Sequence, residues 1–483
     1  MKNAIKDITK EFDIVIGLEV HCVLTTKSKN FSGARNEFTS EANANISEVC
    51  LGFPGTLPVV NKEAVRKALM AALAMNCKTP NEIVFDRKNY YYPDVPKNYQ
   101  LTQATKPVGV DGYVMVVMKD GDKRIGIHDT HLEEDAAAMD HFKDYSLIDY
   151  NRAGGPLLET VTTPCIYSAD EAVAFLETLR SIFLYCGIAE ADPKKGQIRC
   201  DVNISLKPKG SEILGTRVEM KNINSFTNVR MAIESEAVRQ ADILRKGGEL
   251  TQETRRFDDV KGKTFSMRSK ADAVDYKYYL EPNLVPVKVS DEWISEIRDE
   301  IPMLQFERIE KYIEWGLSRG DAIVLAREKG VADYFEDIVS GGVTVSVAAN
   351  WIVEVMLGYL AKLGLEIGDI SVKSGMLVEL ISMVESGKVS RNQAKDVLEI
   401  AIEKSEDPVK LIDKMGMSQI SDDEEIRNIV REVLKEQVAS VEQYRGGDEK
   451  VLNFLVGQVM RKTGGKANPG MTRGIVVEEI TKG

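Results

Sequence analysis

The stretch "DIVIGLEVHCVL" (residues 13–24) is apolar almost throughout and reads as a buried strand. Two polar residues interrupt it, Glu19 and His21. In a strand, residues two apart share a face, so these two point the same way, with Gly17 beside them. A carboxylate in apolar surroundings is costly unless it is paired or bound to a metal. The fold must therefore bring partners to one face of this strand. Taken alone, a Glu–His ion pair at a sheet edge would satisfy that demand.

Other segments repeat the pattern. "HLEEDAAAMDH" (131–141) sets Glu133, Glu134 and Asp135 after His131, and the alanines that follow predict the start of a helix. "DYNRAGGPLLETVTTP" (149–164) isolates Glu159 in an apolar run. Carboxylates with few imidazoles and no thiolates suit Mg²⁺ better than Zn²⁺. In "IRCDVNISL", Arg199, Asp201, Asn203 and Ser205 alternate with apolar neighbours. In "TRVEMKNIN", Arg217, Glu219 and Lys221 share a face. A half-exposed antiparallel sheet accounts for this alternation. So does a nucleotide–metal site, where cations neutralise a transferring phosphoryl group and acids hold the metal. No Gly-x-x-x-x-Gly-Lys-Ser/Thr loop is present, so a P-loop is not the device. "FDRKNYYYPDVPKNYQLTQ" (85–103), with Arg87, Lys88 and three consecutive tyrosines, suits either packing or stacking of a base.

The chain changes character along its length. Before residue 291, short β-rich runs are interrupted by helical stretches at 62–75 and 168–187. Such mixing predicts an α+β domain with a largely antiparallel sheet. From Asp291 the apolar spacing turns helical. Ser390 with Gln393, and Ser421 with Glu424, have capping-box spacing. A break near 403–410 splits the helical region. The expected division is a domain at 1–292, an all-α domain at 293–405 and a small all-α tail at 406–483.

A formal charge of −12 argues against a general nucleic-acid binder, so any RNA contact must rest on a local basic surface. The tail supplies one candidate, "RKTGGKANPGMTR" (461–473), with Arg461, Lys462, Lys466 and Arg473 and no acid within it. The six cysteines are scattered without a C-x-x-C pair, which fits a reducing cytoplasm. The N-terminus has no apolar signal region, and no apolar run approaches a membrane span of roughly 20 residues. No Ser/His/Asp or Cys/His arrangement is evident.

Together, "IGLEVH", "GFPGTLPVVN", "FDRKNYYYPDVPKNYQLTQ", "HLEEDA", "DYNRAGGPLLE", "RCDVNISL", "EMKNINSF", "QETRRFD" and "DYKYYLEP" resemble, in order, the B subunits of the aspartyl/glutamyl-tRNA amidotransferases. "NFLVGQVMRKTGGKANP" resembles that family's tail domain, so the likeness covers nearly the whole chain. It implies a first domain related to the glutamine synthetase and guanido kinase catalytic fold. It implies a cytoplasmic heterotrimer in which the amidase (glutaminase) subunit releases ammonia from glutamine or asparagine. The small C subunit would tie it to the B subunit. The B subunit would use ATP and Mg²⁺ to phosphorylate the side-chain carboxylate of Glu-tRNA(Gln) or Asp-tRNA(Asn), and ammonia would displace the phosphate. Glu19, His21, Glu159 and an acid of "LEED" would then hold Mg²⁺. Glu134 is preferred to Glu133 here, whereas strand alternation favours Glu133, on the face of His131, and the likeness does not settle the choice. Lys88, Arg199 and Lys221 would join the catalytic group. Asp201, Asn203, Ser205, Arg217 and Glu219 would serve the nucleotide, and the basic tail the tRNA. Many members bind zinc through paired cysteines in the segment that here reads "FSGARNEFTSEANANISEVCLGFPG" (31–55). Here Ser32 and Ala34 flank Gly33 and only Cys50 remains, so no structural zinc is expected.

A free-standing carboxylate–ammonia ligase and a non-enzymatic tRNA scaffold are the competing readings. Turnover of free glutamate without tRNA would favour the first. ATP hydrolysis dependent on Glu-tRNA would exclude the second.

Overall fold

The run at 13–24 forms strand β1 (Phe12–Val23), with Leu18, Val20 and Cys22 buried on one face and Gly17, Glu19 and His21 on the other. The computed structural model describes residues 2–223, 225–269, 275–416, 423–463, 467 and 469–482. Helix α1 (Lys2–Glu11) precedes β1, and α2 (Lys62–Ala74) follows it. Next come the short strands β2 (Glu82–Ile83), β3 (Asp86–Asn89) and β4 (Tyr99–Thr102), then β5 (Gly109–Val116) and β6 (Lys123–Glu134). The hairpin of β7 (Ala138–His141) and β8 (Ser146–Asp149) leads to β9 (Pro156–Thr162) and α3 (Ala169–Tyr185). Strands β10 (Ile198–Pro208) and β11 (Val218–Ile223) are followed by α4 (Phe226–Arg245), β12 (Glu253–Asp258) and β13 (Lys263–Ser269). Strands β14 (Tyr279–Leu280) and β15 (Val287–Lys288) and helix α5 (Asp291–Glu300) come next.

Eight strands form one sheet in the order β13-β12-β11-β10-β1-β9-β6-β5. Every neighbouring pair is antiparallel except β11 and β12, which are parallel and connected through α4. Buried side chains of α2 (Ala68, Leu69), α3 (Phe175, Leu179) and α4 (Val229, Ile233) share one core with Leu18, Val20, Val202 and Ile204. Helices segregated on a largely antiparallel sheet make this an α+β fold, as the sequence predicts.

The expected helix after Asp135 does not form. Strand β6 runs to Glu134, paired with β5 and β9, and Ala138 opens a hairpin strand instead. Asp135, Ala136 and Ala137 form a connection, and pairing of Ala138 with Asp149 in the β7–β8 hairpin outweighs the helix propensity of the alanines. The capping box at Ser390 and Gln393 is formed, whereas Ser421 lies outside the described residues. Near 403–410 the chain breaks as expected. Ser405 is left-handed at the end of one helix, and Asp407 with Pro408 starts the next.

Packing divides the chain into two compact units, Met1–Glu307 and Arg308–Gly483. Helix α5 belongs to the first, with Ile297 in the sheet domain's core. The second unit is helical throughout its described elements. Its last part has a core of its own, with Ile426, Val430, Leu455, Val459 and Val476 at its centre. One stretch, Val345–Leu363, has the length and apolarity to cross a membrane, contrary to the reading of the sequence alone. Its Trp351, Ile352, Met356 and Leu360 are buried within the chain, as in the core helix of a globular unit.

Helix α4 is fastened to β12 and β13 by the buried Glu236. Its carboxylate accepts bonds from Arg239 (2.6 and 2.9 Å), Gln240 (3.0 Å) and Thr264 (2.7 Å), and Arg255 lies 3.5 Å away. Glu236→Ala leaves Arg255 partly unpaired in a nearly dry site. Breaking such a pair costs about 3–5 kcal/mol. Thermal unfolding should therefore show a clearly lowered midpoint, and a midpoint within about 1–2 °C of wild type would contradict the assignment.

Candidate active site

The register of four strands brings the polar residues of the sheet into line. His21 of β1 pairs with Glu159 of β9 on one side and Arg199 of β10 on the other, and Glu159 pairs onward with His131 of β6. Glu19 pairs with Asp201, and Asn203 pairs with Glu219 of β11, which in turn pairs with Thr254 of β12. Directly paired residues share a face, so these side chains lie together on the side away from the Leu18–Val202 core.

They form two adjacent groups. In the first, ligand atoms of His21, Glu133 and Glu159 lie within 4.8 Å of one another. His21 Nε2 is 3.2 Å from Glu159 and 3.7 Å from Glu133. In the second, ligand atoms of Glu19, Asp201 and Glu219 lie within the same span. Asn203 donates to Glu19 at 2.8 Å, and Thr254 donates to Glu219 at 2.8 Å. Lys221 reaches Asp201 at 2.6 Å and Glu219 at 2.9 Å. A register shift between Cys200 and Val202 in the β10–β11 pairing marks a bulge beside Lys221, the kind of irregularity that re-aims a side chain at a functional site.

A cavity of about 600 Å³ opens over the first group, lined by His21, Glu133, Asp201 and the cations Lys88, Arg199 and Lys221. A second hollow of about 290 Å³ is lined by Gly17, Glu19, Asn203, Ser205 and Arg217. Of the sequence-predicted nucleotide residues, Asp201 lines the first and Asn203, Ser205 and Arg217 line the second, while Glu219 is in the lining of neither. Lys88 lies 5.0 Å over the ring of Tyr276, which meets Tyr90 and Tyr278 edge-on. Arg87 is bound instead to the buried Glu281 and Tyr279, fixing β3 against β14.

Strand alternation separates the two acids of "LEED". Glu133 is in the first group. The Glu134 carboxylate is taken by Lys97 and by the backbone N–H of Leu101 at 2.9 Å, which leaves Glu133 as the acid better placed to join a cation. Asp135 is held by Arg199 at 3.0 Å and Arg152 at 3.3 Å.

Charges in this face shift one another. Burial and the neighbouring Glu159 raise the pKa of Glu133, and the same two causes raise that of Glu19. Burial would do the same to Glu159, but hydrogen bonds from His131 and His21 overcome it and hold its pKa well below the usual carboxylate range. Burial disfavours the charged forms of His21 and His131. The bond to Glu159 outweighs it at His21, and bonds to Asp129 and Glu159 raise His131 to about 10. Burial likewise opposes the charge on Lys221, yet Asp201 and Glu219 raise its pKa. One imidazole and two carboxylates, close together and without a thiolate, form an oxygen-rich donor set of the kind hard divalent cations take.

Sequence reasoning missed His131 and Asp129 as site residues. Their signal was present, because Asp129, His131 and Glu133 follow one another at period two along β6. Cys50 Sγ lies 3.2 Å from the hydroxyls of both Ser32 and Ser47. In the tail, Arg461 and Lys462 end the helix Lys450–Lys462, and Arg473 lies on Pro469–Lys482. Lys466 lies outside the described residues. Lys462 is not free of acids, as the local sequence suggested, because Glu432 and Glu436 of the helix Asp423–Glu436 reach it at 2.9 and 2.7 Å.

The two acids should separate by experiment. Glu133→Gln should weaken binding of a divalent cation by about tenfold or more, with little change in unfolding temperature. Glu134→Gln should keep cation binding and lower the unfolding temperature, because it breaks the buried Lys97 pair. The opposite pattern, read by cation titration and thermal unfolding, would reverse the assignment.

Two family models match the chain: the GatB/GatE catalytic domain over residues 14–295 and the GatB domain over residues 333–480. The chain is 47% identical over 470 residues to the B subunit of the aspartyl/glutamyl-tRNA(Asn/Gln) amidotransferase of Persephonella marina, covering 97% of this chain and 99% of that protein. It is 45% identical over 473 residues to the protein of the same name from Halalkalibacterium halodurans, and 46% over 473 residues to that of Geobacillus kaustophilus, each covering 98% of this chain and 99% of the relative. The chain that carries this sheet face of acids and cations aligns end to end with these proteins and belongs to the GatB/GatE family of amidotransferase B subunits.

Proposed function

We propose that this chain activates and amidates the misacylated end of Glu-tRNA(Gln), Asp-tRNA(Asn) or both. It does so as the B subunit of a tRNA-dependent amidotransferase, alongside the glutaminase subunit that supplies ammonia and the small C subunit. The observation that carries this reading is the His21–Glu133–Glu159 group beneath a cavity lined by three cations, in a chain aligned end to end with B subunits.

The chemistry explains why such groups are needed. A carboxylate is a poor electrophile, since attack by ammonia would have to expel oxide. In the first step an oxygen of the aminoacyl side-chain carboxylate attacks the γ-phosphorus of ATP, and ADP leaves. In the second, ammonia attacks the carbonyl carbon, phosphate leaves, and the product is Gln-tRNA(Gln) or Asn-tRNA(Asn). Phosphoryl transfer asks for positioning and charge neutralisation rather than a protein nucleophile. His21, Glu133 and Glu159 would hold Mg²⁺, which when bound supplies Lewis-acid neutralisation of the phosphate oxygens. Glu19, Asp201 and Glu219 form an adjacent acidic wall, steadied by Asn203, Thr254 and Lys221. Lys88 and Arg199 bring positive charge to the cavity that receives the transferring group. Ser205 and Arg217, in the neighbouring hollow, would contact the nucleotide. We assign the helices after α5, up to residue 405, to a helical domain, which therefore begins later than the expected residue 293, and residues 406–483 to a tail that grips tRNA through Arg461, Lys462, Lys466 and Arg473.

The test is amidation by the purified complex. His21→Ala and Glu159→Gln should each abolish it, and ammonium salt supplied directly should not rescue them. Glutamine hydrolysis should remain absent from the isolated chain, which should still amidate with ATP, Mg²⁺ and ammonium salt. Near-normal turnover by either variant, or glutaminase activity of this chain alone, would overturn the reading.

The tail makes a separate prediction. Each phosphate neutralised contributes roughly −0.7 to −0.9 to the log–log salt slope of binding. Removing residues from 406 onward should weaken tRNA binding and make that slope shallower, with cation binding retained. The same affinity and the same slope would remove the tail from the tRNA site.

A further inference from the structure

Glu159 is the pivot of the first group, and its partners reach beyond the three proposed ligands. Its Oε2 lies 3.2 Å from His21 Nε2 and 3.1 Å from His131 Nε2. The far side of the His131 ring is occupied too, with Nδ1 2.7 Å from Asp129 Oδ1. The other oxygen of Asp129 takes the exposed His128 at 2.7 Å. Three of the chain's four histidines thus stand in one line, His128–Asp129–His131–Glu159–His21. The line is built by the strands. Asp129 and His131 are two apart on β6, and His131 is paired with Glu159 across β9. A register shift between Ile127 and Asp129 marks a bulge at His128.

We propose that His131 and Asp129 are positioning residues for the divalent-cation site. Asp129 fixes the orientation of the His131 ring, and the ring holds the Glu159 carboxylate where it meets His21 and Glu133. This rests on the reading that His21, Glu133 and Glu159 hold the cation. A carboxylate free to rotate would offer its oxygens in several directions. One clamped by an imidazole, itself clamped by a carboxylate, offers a single arrangement. Groups that orient ligands in this way are worth about 10–100-fold in metal affinity. The side chain of His131 is largely enclosed, and Asp129 is nearly so, which shields both bonds from competing water. Neither residue needs to touch the nucleotide or the aminoacyl group.

The probe is Mn²⁺ titrated into the complex with its partner subunits, with free Mn²⁺ read by electron paramagnetic resonance in the absence of ATP and tRNA. His131→Ala and Asp129→Ala should each weaken the tightest site by about 10–100-fold. Asp129→Asn keeps an oxygen that accepts the Nδ1 proton and should recover most of the affinity. Pulsed spectra of Mn²⁺ bound to His131→Ala should keep the ¹⁴N modulation of His21. Unchanged affinity in both alanine variants while His21→Ala weakens binding overturns the positioning role alone. So does a loss in Asp129→Asn as large as in Asp129→Ala, and so does loss of the ¹⁴N signal in His131→Ala. If His21→Ala itself leaves Mn²⁺ binding intact, the cation site is misassigned and the reading beneath this inference falls with it.

Discussion

Strand β1 lies between β9 and β10, and its register with both decides which charges meet. With His21 opposite Glu159 and Arg199, and Glu19 opposite Asp201, two acidic groups form side by side on one face. A slip of one residue would send Leu18 and Val20 to that face and Glu19 and His21 into the core. The apolar alternation of β1 and β10 therefore does more than hold the core together. Burial of Leu18, Val20, Val202 and Ile204 against the helices locks the register that assembles the site.

The electrostatics of the face follow from this placement. Acids on a half-dry surface are tolerated because each has a partner. Glu159 has two imidazoles, Asp201 and Glu219 share Lys221, Asp135 has two guanidinium groups and Glu19 has Asn203. Glu133 is the exception in degree. It is buried, its pKa is raised, and its nearest cationic partner, His21, stands at 3.7 Å. A buried carboxylate left with so loose a partner is suited to a bound cation.

Much of this was legible in the sequence, and the reasons are local. Period-two alternation exposed the polar faces of β1 and β10, and isolated acids in apolar runs marked Glu19 and Glu159. The α+β class followed from short β-rich runs mixed with two clear helices. What failed was the information that lives in pairing. The alanines after Asp135 carry helix propensity, and only the pairing of β7 with β8 turns this stretch into a hairpin. The choice between Glu133 and Glu134 was open to alternation, which put Glu133 with His131, and the structure follows alternation. The split of Glu19 away from His21 into a second group depends on β10 and β11 and has no signature within β1. The partners of Lys462 come from an earlier helix, Asp423–Glu436, which no reading of the basic segment by itself could show.

The central claim is that this face transfers a phosphoryl group to the aminoacyl carboxylate before ammonia arrives. Its most direct measurement uses Glu-tRNA labelled with ¹⁸O in the side-chain carboxylate, turned over by the complex with ATP and glutamine. If the account is right, each amide formed releases one labelled oxygen in inorganic phosphate, detected by mass spectrometry. Amide formed with unlabelled phosphate would contradict it.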